Sequence, residues 1–190
     1  MSKTICLYCS SSDALSSSYF QVATEFGALL AQRNYTLIYG GGRIGLMGAA
    51  ARSVHQHGGK VIGVIPQSLQ EKEVGYNAAD ELIITKDLRD RKAIMEARAD
   101  AFVALPGGFG TLEEIFEILT LKQLQFHTKP VVLVNTNHFY GHFVRLCEHI
   151  YKERFAKPDS RLLYHLAPDP ASVFPYLENY QPPKLQNKWF

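Results

Sequence analysis

Apolar residues fall into two rhythms along the chain. TICLYC (4–9), TLIYG (36–40), KVIGVIP (60–66), DAFVALP (100–106) and PVVLVN (130–135) are short, nearly continuous apolar runs. Such runs predict strands covered on both faces. ELIIT (81–85) and LLYHLA (162–167) read as weaker strands. The stretches between them carry apolar residues three and four positions apart, the spacing of a helix with one buried face. In SYFQVATEFGALLAQR (18–33) these are Phe20, Ala23, Phe26, Leu29 and Leu30. Further helices are predicted over 45–58, stopped by Gly58-Gly59, over 87–99 with Asp87 as N-cap, over 111–126 and over 139–155. A short helix over 170–180 is interrupted by Pro175.

Strands alternating with helices predict an α/β chain: a Rossmann-like three-layer fold, its mostly parallel sheet flanked by helices and joined by right-handed crossovers. Residues 1–190 read as a single domain with a loosely held tail from about 181. In such sheets ligands sit beyond the carboxyl ends of the strands. Three polar or glycine-rich turns fall there: CSSSD (9–13), YGGGRIG (39–45) and PGGFGT (106–111). Residues 66–80 read as a loop able to cover the site.

Composition narrows the partners. The net charge is +2 with both signs interspersed and no basic run, which argues against nucleic acid. No apolar stretch is long enough for a membrane span, and MSKTICLYCSSS lacks the apolar core of a signal peptide. The three cysteines, odd and sparse, fit a reducing cytoplasm. Cys6 and Cys9 form a C-x-x-C, but they sit in a strand-like run, and no second Cys or His pair completes a metal set. No metal site is expected.

Gly40–Gly45 fit the loose pattern G-x-G-x-x-G. The turn follows the second predicted strand, and the third ends without the acidic residue that would hold a ribose, so a nicotinamide dinucleotide is disfavoured. A tight turn with close backbone approach explains the same glycines. PGGFGT is the stronger signal. Its bare backbone lets N–H groups converge on an anion, and the following helix adds its positive end. Thr111 and Glu114 form T-x-x-E, which reads as a capping box. Glu114 and Glu117 share a helix face, and two carboxylates there fit glycosidic cleavage equally well. Arg91-Lys92 is either a solvated pair or a phosphate clamp.

YGGGRIGLMG, VIGVIP, the Arg91-Lys92 pair and PGGFGTLEE, in this order along the chain, resemble the Lonely Guy (LOG) family of cytokinin riboside 5′-monophosphate phosphoribohydrolases. The likeness runs from about residue 4 to 140. It implies hydrolysis of the N-glycosidic bond of an adenosine 5′-monophosphate, N6-modified or plain, releasing base and ribose 5-phosphate without a cofactor. Arg91 and Glu114 match the family's catalytic Arg and Glu. Lys92, Gly108, Gly110, Thr111, Glu73 and Thr120 match nucleotide-binding positions. Gly107 belongs to the same turn, Gly41 and Gly42 to the YGGG turn, and Glu117 adds the second carboxylate. Ser11 and Ser12 match the family's CGSS-like turn, with Ser10 in place of its glycine. Leu88-Arg89 replaces the usual Met-His before Arg91. The resemblance also implies a homodimer. A nucleotide-binding module without catalysis is the alternative.

Overall fold

The computed structural model describes residues 3–72 and 74–185. Strand β1 (Thr4–Tyr8) lies at the centre of the sheet, and its alternation explains why. Ile5, Leu7 and Cys9 enter one apolar core while Cys6 and Tyr8 enter the other, as a side-chain period of two requires. The two cysteines therefore sit on opposite faces of the sheet. That is why the C-x-x-C is neither a disulfide nor a ligand pair, and both thiols are free and buried.

The remaining strands are β2 (Thr36–Tyr39), β3 (Lys60–Pro66), β4 (Glu81–Thr85), β5 (Ala101–Ala104), β6 (Val131–Val134) and β7 (His165–Ala167). They order as β4-β3-β2-β1-β5-β6-β7, and every pairing is parallel. The α/β three-layer reading holds. Helices α1 (Ser17–Gln32), α2 (Gly45–Gln56) and α7 (Val173–Glu178) cover one face through Phe26, Leu30, Val54 and Phe174. Helices α4 (Leu88–Arg98), α5 (Phe109–Gln123) and α6 (Gly141–Lys152) cover the other through Met95, Ile115, Ile118 and Phe143. The chain leaves β1 in both directions across the sheet, so a crevice opens at the carboxyl ends of β1 and β5. Among the described residues no helix is long and apolar enough to cross a membrane.

Several boundaries differ from the sequence pattern. Helix α5 starts at Phe109 with Gly108 as its N-cap and no side-chain cap, two residues earlier than predicted. Thr111 and Glu114 thus lie inside the helix, and the capping box is overturned. Residues 66–80 are not wholly loop: α3 (Gln67–Gln70) forms one turn, and Gly75 bridges Gly42. Two 3-10 turns, Thr136–His138 and Pro158–Leu163, shorten the elements beside them. Pro175 falls in the first turn of α7, where its missing N–H costs nothing, so it opens that helix instead of interrupting it. Of the tail, Leu185 packs against the core on the α4–α6 side; 186–190 lie outside the described residues.

Candidate active site

Two helices begin beside the crevice, and their first-turn amides have different fates. At α2 the amide of Gly45 donates to Asp13 Oδ1 (2.8 Å). Those of Leu46 and Met47 donate to the Ser10 carbonyl (2.9 and 3.3 Å). Gly45, at φ +61°, packs so closely on Ser10 and Ser11 that a Cβ would stand 2.4 Å from the Ser11 carbonyl carbon. That turn is spent on internal closure. At α5 the first backbone bond runs from Leu112 N–H to the Gly108 carbonyl (3.0 Å). The N–H groups of Phe109, Gly110 and Thr111 precede it as first-turn donors without an intrahelical acceptor. Together with the positive helix end they form an anion cradle.

The cradle opens into a cavity of about 570 Å³. Its floor is the end of β1 with Ser10–Ser12. One wall is Gly40, Gly42 and Met47, another is Gly108–Thr111, and Leu69 and Val74 of the 66–80 segment close the rim. That segment is tied down by Arg43 N–H to the Val74 carbonyl (2.8 Å) and Tyr76 N–H to the Gly41 carbonyl (2.8 Å). Further back, the His55 ring bridges the Tyr76 hydroxyl (2.9 Å) and Asp80 (3.0 Å).

Arg91 and Glu114 meet at the cavity wall, Nη1 to Oε1 at 3.1 Å. Arg91 is fixed a second time by Nε–H donating to the Val64 carbonyl (3.1 Å). Its guanidinium occupies the space above Gly40, where a Cβ would lie 1.9 Å from Nη2. Glu114 is buried, and that burial pushes its carboxyl up to about 7 against the opposing pull of Arg91. At neutral pH it is therefore poised between acid and carboxylate, where acid–base groups are most useful. Burial, helped by the nearby Glu114 and opposed by Arg91, holds the Cys9 thiol, also in the lining, far above its usual range, which removes it as a nucleophile.

Of the residues singled out in the sequence, Arg91, Glu114, Gly108, Gly110, Thr111, Gly42, Ser11 and Ser12 line this cavity. Gly41 (φ +73°) lies just behind it, against Val64 and Ile65. Gly107 packs under the Thr111 side chain. Lys92 points away, bound to Glu113 and, at 2.9 Å, to Glu117. Thr120 turns its hydroxyl back onto the Phe116 carbonyl (2.7 Å). Lys92, Glu117 and Thr120 thus lie along the outer α4–α5 face. Glu73 lies outside the described residues. Sequence reasoning passed over Gly40, Cys9 and Met47. The run of three glycines hinted at the first and the CSSSD turn at the second, whereas nothing in the sequence marked Met47. Among the described residues no cluster of three His, Cys, Asp or Glu is placed to hold a metal.

Residues 47–177 match a family model described as "Possible lysine decarboxylase". The cytokinin riboside 5′-monophosphate phosphoribohydrolase LOG of Oryza sativa subsp. japonica is 43% identical over 180 residues, 95% of this chain and 74% of that one. LOG5 of Arabidopsis thaliana, carrying the same activity in its name, is 39% identical over 180 residues, 95% of this chain and 79% of that one. The chain belongs to the LOG family. Solved structures extend the fold beyond LOG proteins. A molybdenum cofactor binding protein from Rippkaea orientalis superposes with a TM-score of 0.72 at 21% identity, over 94% of this chain and 96% of that one. The molybdenum cofactor carrier protein of Chlamydomonas reinhardtii gives 0.70 at 25%, over 94% and 97%. The same fold therefore occurs in LOG proteins and in proteins named as molybdenum cofactor carriers, so the fold by itself does not fix the function.

Proposed function

We propose that the chain hydrolyses the N-glycosidic bond of N6-modified adenosine 5′-monophosphates, releasing the free base and ribose 5-phosphate. The observation that carries this reading is the buried Arg91–Glu114 pair one helical turn beyond an open anion cradle. The amides of Phe109, Gly110 and Thr111 take the 5′-phosphate, and the nucleotide then runs toward Glu114. The ionised Glu114 orients the ribose and the attacking water and stabilises the positive charge that develops at C1′. Arg91 holds that carboxylate in place and supplies the fixed cation. Lys92 and Thr120, nucleotide-binding positions by family resemblance, and Glu117 lie on the outer α4–α5 face instead of in the cavity lining, so the reading rests on Arg91, Glu114 and the cradle.

Relatives 39% and 43% identical to this chain bear the phosphoribohydrolase name, which supports the same substrate class here. The chain acts as one domain and as a homodimer in the cytoplasm. Three free, buried thiols suit a reducing compartment. The exposed Phe109, Phe116, Phe126 and Leu124 on and after α5 offer apolar surface for a second copy.

The test is release of base from AMP and from N6-isopentenyl-AMP, followed by chromatography, with Glu114→Gln as the control. That variant removes the anion at nearly constant shape. Hydrolysis by the wild type that Glu114→Gln abolishes is the expected result. Binding of both nucleotides without turnover would return the chain to a nucleotide-binding module.

A further inference from the structure

A second cavity, of about 340 Å³, lies between the far end of α5 and residues 182–185. It is separated from the anion cradle by nearly the whole of α5, about 20 Å at 1.5 Å per residue. Lys122 is one of its walls, yet its side chain is only 2% exposed. Burying an ammonium is costly unless charge or several acceptors compensate. Here the compensation is incomplete. One N–H donates to the Leu163 carbonyl (2.9 Å), and the Tyr180 ring lies 5.1 Å away. Among the described residues no carboxylate pairs with Lys122.

Among the described residues, the groups around it add positive charge and no negative charge. The His127 ring accepts the Lys129 N–H at Nδ1 (3.1 Å), so its proton sits on Nε2 and donates to the Ile118 carbonyl (3.0 Å). It is neutral, and burial together with Lys122 and Lys129 resists its protonation. Lys129 turns its ammonium onto the Glu96 carbonyl (2.8 Å). Lys184, Gln125 and Thr128, a second lysine and two neutral polar residues, also line the cavity. We propose that this cavity is a binding site for a phosphate group, free or on a small ester, with Lys122 as its buried anchor and Lys184 closing over it. The set offers cationic and neutral donors with no acidic side chain to repel a dianion, which is what phosphate recognition requires. Burial without a counter-charge holds the Lys122 ammonium down at about 8, so a bound dianion must raise its titration midpoint. Nothing in this depends on the reaction at the other end of α5.

The test uses the full chain with ¹³C-labelled lysine, the Lys122 Cε resonance being assigned through Lys122→Arg. The resonance is titrated at constant ionic strength in chloride, then with inorganic phosphate, then with ribose 5-phosphate. The expected result is a midpoint raised by about one unit by at least one phosphate. The more effective of the two identifies whether the site takes the free ion or an ester. An unchanged midpoint with both would overturn the site and leave Lys122 a structural pin between α5 and the 3-10 turn. As a second measurement, phosphate should raise the Tm of the wild type more than that of Lys122→Met. An equal rise would place all phosphate binding at the cradle. If Lys122→Met does not fold, the wild-type titration decides alone.

Discussion

Gly40→Ala tests the proposed catalytic pair without replacing either member. The new Cβ would stand 1.9 Å from Arg91 Nη2, 3.0 Å from its Cζ and 3.1 Å from the Met47 sulfur. The guanidinium must move by roughly an ångström, the scale of the misplacement that costs about 10²-fold in rate. It cannot swing freely, because Nε is tied to the Val64 carbonyl and Nη1 to Glu114. Breaking a buried ion pair in place ordinarily costs about 3–5 kcal/mol. Here Glu114, titrating at about 7, takes up a proton at neutral pH instead of standing as an unpaired charge. The stability loss then reduces to about one charge-assisted hydrogen bond, about 1.5–3 kcal/mol.

The variant should therefore fold, lose about 100-fold in kcat, and show a pH–rate midpoint moved upward, since the attraction that opposed burial has gone. The assay is base release from the nucleotide across the pH range, with calorimetric Tm beside it. Gly141→Ala is the control: its Cβ would meet only Arg145, at 4.0 Å, at the start of α6, and it should leave both rate and midpoint unchanged. A Gly40→Ala protein with wild-type kcat and midpoint would refute the Arg91–Glu114 assignment.

Three further outcomes follow from the same geometry. With the carboxyl of Glu114 raised to about 7, kcat of the wild type should climb as pH rises through that value and level above it. The stability contributed by this raised group runs the other way, full below the ordinary carboxylate range and lost as pH rises through about 7; a rate independent of pH between 6 and 8 would count against Glu114. Arg91→Met should cost more than about 100-fold in kcat, whereas Lys92→Met, whose ammonium is already held by Glu113 and Glu117, should cost less than about tenfold; steady-state kinetics of both variants settle the order. His55→Phe cuts the Tyr76–His55–Asp80 bridge behind the 66–80 segment. It should raise KM while leaving kcat nearly unchanged, and a fall in kcat alone would contradict a positioning role.

The strands were readable because both faces of this sheet are covered. Where no side of a strand meets water, the apolar run is unbroken and its limits are sharp, as at β3, observed over the predicted 60–66. The helix termini were less readable because they depend on which amides the fold leaves open. T-x-x-E at 111–114 satisfies a capping pattern, but Gly108 begins α5 earlier, and a glycine cap leaves no side chain in the sequence to announce itself. Gly40 illustrates the other limit. Its role exists only because the guanidinium of Arg91, on a distant helix, fills the volume that a side chain would take. Lys122 breaks the helical pattern in the opposite sense. A lysine next to Leu121 in a sequence reads as a solvated position, yet the fold buries it with its ammonium on the Leu163 carbonyl and beside the Tyr180 ring.

The T-x-x-E spacing has a different meaning once the helix start is known. Residues three apart in a helix share a face and are separated by about 5 Å along the axis. The last cradle amide, at Thr111, and the carboxylate of Glu114 therefore stand one turn apart on the side that faces the cavity. That separation matches the reach of a nucleotide from its 5′-phosphate to its anomeric carbon. On the proposed reading, a phosphate fixed on the amides of Phe109–Thr111 would carry C1′ toward the carboxylate. A capping glutamate would have folded back onto the helix start and filled the cradle. Because Gly108 takes the cap position without a side chain, the amides stay open and Glu114 is released to the cavity. On that reading the glycine turn sets where the anion rests, and the one-turn spacing sets which part of the nucleotide meets Arg91 and Glu114.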